Sequence, residues 1–585
     1  MRTLVCRSLT ALVGAAALLA GGPAHAASNV RLAQGAVTGA PLLGGAVTRY
    51  LGLPYARPPI GPGRWTPPAP ARPWRGVLAA TRYGPACWQP KSRPRSFYAD
   101  DPPRMSEDCL YLNVWTPAHA VRAPVMVWIH GGALVNGTAS SERYDGTKLA
   151  RRGVVVVTVN YRLGALGYLA HPELSAESPQ GVSGNYGLLD QIQALRWVRA
   201  NIAAFGGDPK NVTIFGESAG ALSVTQLMTS PLARGLFQRA IAESPYLPSA
   251  PELKRARFGS PSAEALGVAF ARQSGAGDLK ALRAMSPAQI VEAQGKARYA
   301  PQATVDGWVL PRQVFEGFEA GEEAPVPFMA GFNSGEFRAF EGALPPLPAD
   351  AAAYRATVSR RYGDLADRYL ALYPASDIQE SALAAARDGL FGWAAERMVR
   401  QHAARAPSYL FYFDQSYPGA AARHLQGFHE SEIPFVFGEV GAGARPPPNW
   451  PAPPSRAQDL ALSNAMMSYW TGFARSGRPY AAGQPTWAPA GHDAAYMAFR
   501  GGLAMPSRHL SPQAFALVET VIARRRQRGD QGWYLDIGLA APETTAASPG
   551  PATPRSSAAS STATTTSCRR ASGGPSSAPA SASPR

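Results

Sequence analysis

Residues 212–220 read Val-Thr-Ile-Phe-Gly-Glu-Ser-Ala-Gly, an apolar run that enters a Gly-x-Ser-x-Gly turn. A helix-capable run begins at Ala221. The two glycines permit a turn too tight for side chains, and such a turn lifts the serine hydroxyl clear of the sheet edge. The five-residue pattern alone arises often by chance, so the strand before it and the helix after it carry the prediction. We interpret Ser218 as a nucleophile presented at a strand-to-helix elbow.

Two continuous apolar runs, 125–129 and 154–159, precede this turn. Runs of this kind are typical of central strands that are covered on both faces. Residues 109–115 alternate like a half-buried strand, and residues 188–205 have a helical pattern. The alternation of strands and helices predicts the α/β class, with a doubly wound, mostly parallel sheet.

Further strands are predicted after the elbow, at 237–244, 327–332 and 409–413. The segments around 253–300 and 345–405 are rich in Ala, Arg and Leu and are predicted to be helical. We expect these helical insertions over the C-terminal ends of the strands, where substrate pockets form in such sheets.

The two ends of the chain differ in composition from its body. Residues 1–26 have arginines before an apolar run and end in Ala24-His25-Ala26, which is typical of a secretory signal peptide. The apolar run is too short for a stable membrane anchor, so we expect a secreted protein. Residues 541–585 are almost entirely Ser, Ala, Thr and Pro and are predicted to be a disordered tail. Residues 27–540 are then one catalytic domain.

The formal net charge of +17 does not indicate nucleic-acid binding. The basic residues are mostly single arginines among Ala, Pro and Gly, without interleaved aromatic residues. Cysteine usage is more informative, because export favours disulfides. Cys6 lies in the predicted signal and Cys568 in the predicted tail, which leaves Cys87 and Cys109 as the pair within the body. Their bond would close a loop of roughly twenty residues and stabilise the fold by about 3 kcal/mol.

A serine nucleophile needs a general base, and the base needs a carboxylate that orients it. His429 follows the predicted strand at 409–413, where a base would face the elbow. His424 is the alternative, whereas His402, His492 and His509 lie in helical or late segments. For the acid, Glu336 follows the end of the strand at 327–332. Asp306 competes, although its Asp-Gly sequence is also an ordinary turn.

The negative charge that develops on the carbonyl oxygen under attack needs N–H donors. His130-Gly131-Gly132-Ala133 directly follows the strand at 125–129. We predict that the main-chain N–H groups of Gly132, Ala133 and Ala219 form the oxyanion hole.

With these motifs the chain closely resembles the type-B carboxylesterases of the α/β-hydrolase fold, which include cholinesterases and bacterial para-nitrobenzyl esterases. The resemblance covers nearly all of 29–505 and rests on the following segments: 50–59, 107–113, 130–133, 185–191, 205–209, 216–220, 333–336, 429–437 and 469–474. It implies a triad at Ser218, Glu336 and His429, and a first disulfide at Cys87 and Cys109.

Three departures from the family pattern stand out. Ala133 replaces a glycine of the oxyanion loop but keeps its N–H group. Ser244-Pro245 stands where the family has Ser-Gly, which changes the backbone near the pocket. The tryptophan that holds choline in cholinesterases has no counterpart, which weighs against that specificity.

The resemblance implies a hydrolase of small carboxylic esters that works through an acyl-enzyme, without a cofactor or metal. The predicted signal peptide implies that this hydrolase is secreted. A lipase for long acyl chains is one alternative. A non-catalytic adhesion or binding protein on the same fold is another. Acyl-chain preference and oligomeric state stay open.

Overall fold

The computed structural model describes residues 29–544, apart from His492 and the side chain of Glu341. The predicted signal peptide and nearly all of the predicted tail therefore lie outside the described residues. A central sheet of eleven strands dominates the described chain. Its strands, numbered in chain order, are β1 Ala40–Leu42, β2 Val47–Pro54, β3 Tyr111–Pro117, β4 Ala123–Ile129, β5 Val155–Val159, β6 Gly207–Glu217, β7 Arg239–Glu243, β8 Phe328–Asn333, β9 Ser408–Asp414, β10 Ala495–Arg500 and β11 Leu503–Arg508.

The strand order is β11-β10-β9-β8-β7-β6-β4-β5-β3-β2-β1. All pairings from β10 through to β5 are parallel, and the pairings at the two flanks are antiparallel. Two small sheets stand apart: Asn29–Arg31 with Ala36–Thr38 and Val77–Ala79, and Ala86–Cys87 with Met105–Ser106. The predicted mostly parallel α/β sheet is confirmed.

Helices cover both faces of the sheet. The helices of ten residues or more are Tyr186–Asn201, Ala219–Thr229, Ala263–Gln273, Pro287–Lys296, Ala351–Tyr362, Ile378–Arg387, Trp393–His402, Ala457–Ser476 and Pro512–Arg528. Shorter helices are Thr147–Ala150, Gly164–Tyr168, Pro172–Glu177, Leu279–Ala284, Val314–Glu319, Ala366–Leu372, Pro418–Ala421 and Ile433–Phe437, and a π-helix spans Asp388–Gly392. The predicted helix at 188–205 is the helix Tyr186–Asn201 followed by a 3-10 turn, Ile202–Phe205.

Strand β4 shows how the sheet separates two cores. Val125, Val127 and Ile129 belong to one buried cluster, and Met126 and Trp128 belong to the other. Side chains on a strand alternate between faces, so a continuous apolar run is what two covered faces require. Strand β3 behaves in the same way, with a burial pattern that leaves only its end residues partly exposed. Our prediction that it is half-buried is wrong, because the short helix Thr147–Ala150 and the loop before it cover its second face.

The parallel strands all end at one edge of the sheet. Ile129 of β4 is paired with Gly216 of β6, and Glu217 is paired with Glu243 of β7. Glu243 is in turn paired with Gly331 of β8. The residues that follow these strand ends are consequently brought together, although they are far apart in the sequence.

Candidate active site

Ser218 is the first residue after β6 and the N-cap of the helix Ala219–Thr229. Its backbone has φ 55° and ψ −120°, a conformation that non-glycine residues adopt only where the surroundings impose it. A Cβ at Gly220 would lie 2.0 Å from the Ile129 carbonyl oxygen, and one at Gly216 would lie 2.6 Å from the same atom. Only glycine fits at both positions. The predicted tight turn from strand to helix is therefore present in the backbone.

His429 lies in the loop after β9, beside Glu336. Its Nδ1 atom is 2.5 Å from Glu336 Oε2. Glu336 Oε1 accepts hydrogen bonds from the Ser244 hydroxyl at 2.7 Å and from the Asn333 N–H group at 2.8 Å. Both carboxylate oxygens are thus held in place, and one of them orients the imidazole.

Asp306, the competing acid, is occupied elsewhere. Its Oδ1 accepts hydrogen bonds from the N–H groups of Trp308, Val309 and Leu310 at 2.8–3.0 Å. Its Oδ2 accepts one from the Asn185 side chain at 2.9 Å. The carboxylate closes the turn that its Asp-Gly sequence indicates, and it does not contact His429.

The alternative histidines are also separate from the elbow. His424 and His509 are exposed on the surface. His402 is buried, but its Nδ1 is 2.6 Å from Glu323 and its Nε2 is 2.7 Å from the Val326 carbonyl oxygen. His492 lies outside the described residues.

The second ring nitrogen of His429 faces the elbow. Nε2 is 3.1 Å from Oε1 of Glu217, the residue before Ser218. In the described chain no hydrogen bond joins the Ser218 hydroxyl to this ring. Burial, followed by the nearby carboxylates of Glu430 and Glu432, raises the pKa of Glu217 well above its usual range. Hydrogen bonds between catalytic groups are often long or unformed before substrate binds.

The loop after β4 packs directly against the elbow. A Cβ at Gly131 would lie 2.9 Å from the Glu217 carbonyl oxygen and 3.2 Å from Ser218 Cβ. Ala133 has φ 55°, so the residue that replaces the family glycine takes a left-handed conformation. Within the described residues, the N–H groups of Gly132, Ala133 and Ala219 donate to no protein acceptor. They are free to bind an anion, and the start of the helix at Ala219 favours negative charge there.

Several buried groups tune the charge of this site. Burial alone would lower the pKa of His429, but the Glu336 carboxylate, with smaller contributions from Glu430 and Glu432, raises it above the ordinary value. Burial raises the pKa of Glu432 to about 8. Burial lowers the pKa of His130 to about 4, which keeps this ring neutral in the oxyanion loop.

The Cys87–Cys109 disulfide is present, with its Cα atoms 5.0 Å apart. The loop that it closes reaches the site, because the Tyr98 hydroxyl donates to the His429 carbonyl oxygen at 3.0 Å. The rings of Phe340 and Phe391 also pack on the His429 ring, with centroid distances of 5.2 and 5.1 Å.

Sequence reasoning did not assign a role to four groups that build this site: Glu217, Ser244, Glu432 and Arg143. An acidic residue inside the elbow and a serine at the end of β7 are signals that could have pointed to Glu217 and Ser244. Arg143 offers no local signal, because its partner Glu430 is 287 residues away.

No helix in residues 29–544 is long and apolar enough to cross a membrane. The same part of the chain contains no group of three or more His, Cys, Asp or Glu residues that could hold a metal ion.

Residues 26–513 match the family model described as "Carboxylesterase family". The chain belongs to the carboxylesterase family. It is 38% identical over 487 residues to fumonisin B1 esterase of Sphingopyxis macrogoltabida, covering 80% of this chain and 86% of that protein. It is 36% identical to para-nitrobenzyl esterase of Bacillus subtilis (strain 168), covering 74% and 87% of the two chains.

The fold is similar to that of solved para-nitrobenzyl esterase structures. One of them has a TM-score of 0.72 and 32% sequence identity, covering 84% of this chain and 99% of that one. These relatives are α/β-hydrolases that cleave carboxylic esters, and this carboxylesterase is likewise a carboxylic-ester hydrolase.

Proposed function

We propose that this esterase is secreted and cleaves small esters through an acyl-enzyme on Ser218. His429 removes the proton of the Ser218 hydroxyl as the oxygen attacks the ester carbonyl, and later returns it to the leaving alcohol. Glu336 holds the imidazole by Nδ1 and stabilises its charged form. The N–H groups of Gly132, Ala133 and Ala219 stabilise the oxyanion, typically by about 3 kcal/mol for each donor.

The observation that carries this proposal is the placement of the His429 ring. Nδ1 is 2.5 Å from the Glu336 carboxylate, and Nε2 points at the elbow, where it lies 3.1 Å from Glu217. Nε2 thus faces the residue that directly precedes the proposed nucleophile. The predicted signal peptide and the disulfide support secretion, since disulfides persist in oxidising compartments.

Labelling with an organophosphonate tests the nucleophile. We expect one adduct, on the peptide that contains Ser218, and no hydrolysis by Ser218→Ala, because the hydroxyl is the only covalent nucleophile in the scheme. Thermal unfolding of Ser218→Ala should match that of the parent enzyme. An adduct on another residue would contradict the assignment.

A series of p-nitrophenyl esters with increasing acyl length tests the substrate class. The relatives are named for very different esters, so their names do not fix the substrate of this chain. We expect the highest kcat/KM with short acyl chains. A steady increase toward long chains would favour the lipase alternative.

A further inference from the structure

Arg143 is a buried cation beside the candidate active site. It lies in the 3-10 turn Glu142–Tyr144 and is only 9% exposed. Its Nη1 donates a hydrogen bond to the Glu430 carboxylate, which is 6% exposed. Its guanidinium also lies over the rings of Tyr144 and Trp450, at 5.3 and 5.5 Å from their centroids. A buried charge with such fixed partners has little freedom to move.

Glu430 directly follows His429 in the chain. Its φ of 66° is left-handed, which costs a non-glycine residue about 1 kcal/mol. The pairing with Arg143 holds Glu430 in this conformation. Arg143 also approaches Asp100 of the disulfide loop, with 3.9 Å between Nε and Oδ2. The pair therefore ties the loop of His429 to two other parts of the fold.

The surroundings of His429 are unusually rich in carboxyl groups. Glu336 binds Nδ1, Glu217 faces Nε2, and Glu430 and Glu432 follow in the same loop. Tyr98, from the disulfide loop, is a further titratable neighbour, with its ring centroid 6.4 Å from that of His429. Burial raises the pKa of its hydroxyl, so it stays neutral. Within residues 29–544, Arg143 is the only Lys or Arg that forms an ion pair with one of these four glutamates.

We propose that Arg143 and Glu430 are a positioning pair that sets the protonation of His429, and hence the lowest pH at which the enzyme is active. This inference rests on the proposed role of His429 as general base. Arg143 opposes a positive charge on the imidazole, whereas Glu430 favours it. Because the base must be neutral to accept the Ser218 proton, any shift of its pKa appears in the acid limb of the pH–rate profile.

The two partners have opposite expected effects. Arg143→Met removes the repulsion and leaves Glu430 unpaired, which moves the acid limb to higher pH. Glu430→Gln leaves Arg143 with only the more distant Asp100 carboxylate, at 3.9 Å, and moves the limb to lower pH. The double variant removes both effects and returns the limb toward its original position. We expect single-variant shifts on the order of 0.5–1 pH unit, because Glu430 adjoins His429 in the chain and Arg143 pairs with Glu430.

The test measures kcat/KM for p-nitrophenyl acetate between about pH 5 and about pH 9. It compares the parent enzyme, both single variants and the double variant, each checked by thermal unfolding. Losing one partner of a buried ion pair can cost about 3–5 kcal/mol, so Arg143→Met is the variant most at risk of unfolding. Glu430→Gln and the double variant then decide the result. Arg64→Met/Glu107→Gln removes another largely buried ion pair, one that does not contact His429, and should leave the limb in place.

Opposite shifts that cancel in the double variant would support the pair, because a purely structural role cannot change the sign of a pKa shift. Lower kcat with an unmoved limb in both single variants would overturn the inference. A parent enzyme without an acid limb, or an active His429→Ala variant, would instead contradict the proposed function itself.

Discussion

Ser244 directly follows β7, and this position lets its side chain contact Glu336. The sequence presented Ser244-Pro245 only as a departure that changes the backbone near the pocket. In the structure Ser244 has φ 51°, and its hydroxyl donates to Glu336 at 2.7 Å. The hydroxyl thus helps to fix the position of Glu336, which in turn orients the His429 ring. A hydrogen bond to a carboxylate stabilises by about 1.5–3 kcal/mol, so this contact is a substantial constraint on Glu336.

The choice between the two candidate acids can be tested with matched variants. Glu336→Gln should lower turnover by on the order of 10³–10⁴, because an amide leaves the imidazole in the wrong tautomer and does not stabilise its charge. Asp306→Asn should change turnover little but destabilise the fold by about 1–3 kcal/mol, because its carboxylate accepts four hydrogen bonds. Both variants are assayed with one short-chain ester after thermal unfolding. An active Glu336→Gln with a silent, folded Asp306→Asn would reverse the assignment.

The triad residues that the sequence predicts are marked by patterns in the neighbouring residues of the chain. Ser218 is marked by flanking glycines, and Glu336 follows the end of a strand, so chain-local patterns locate both. The Arg143–Glu430 pair has no such pattern, because only the folded sheet brings these residues together. Charge balance around a buried histidine depends on several elements at once, and a single sequence does not show it.

At the scale of elements, the central strands were predicted well because two covered faces demand uninterrupted apolar runs. The predicted ends of helices and strands differ from those in the structure by a few residues, because hydrogen bonding, not hydrophobicity, defines where an element ends. The burial of β3 was missed because alternation describes one covered face, whereas the short helix Thr147–Ala150 and the loop before it cover the other.

The disulfide loop is the element that best tests coupling between the scaffold and the site. Cys87→Ser/Cys109→Ser should lower the free energy of unfolding by about 3 kcal/mol, because the bond restricts the unfolded chain. It should also lower kcat/KM several-fold, because the freed loop carries Tyr98, whose hydroxyl binds the His429 carbonyl oxygen. Urea unfolding and ester hydrolysis measure the two effects.

Tyr98→Phe is the matched control for the disulfide variant. It removes only the hydroxyl, so it should reproduce part of the kinetic loss without the large loss of stability. An unchanged urea midpoint in the double cysteine variant would show that the bond does not stabilise the protein.

At the scale of the whole molecule, the packed body extends slightly beyond the predicted boundary at residue 540. Ala541 is 2% exposed, and its carbonyl oxygen accepts a hydrogen bond from the Arg361 side chain. The Thr544 N–H group donates to the Arg360 carbonyl oxygen. These first residues of the Ser/Ala/Thr/Pro segment are held by contacts with the helix Ala351–Tyr362.

The segment after the helix Pro512–Arg528 is a structural part of the body. Trp533 is 2% exposed, its indole N–H donates to the Leu247 carbonyl oxygen, and its ring packs against Phe258 and Phe315 at 5.1 and 4.8 Å. Loss of a buried tryptophan alone typically costs about 3–5 kcal/mol. The packing of Trp533 against Leu247, Phe258 and Phe315 therefore contributes substantially to stability.

Two truncations separate the body from the predicted tail. Ending the chain after Thr544 should leave Tm and kcat/KM nearly unchanged, because the deleted residues have too few apolar side chains to build a core. Ending it after Gly529 removes Trp533, Leu539 and Ala541 and should lower Tm by many degrees. Differential scanning calorimetry of both proteins beside the full chain makes the comparison. A large fall in Tm for the protein that ends at Thr544 would show that residues 545–585 contribute to stability. An unchanged Tm for the protein that ends at Gly529 would contradict the packing of Trp533.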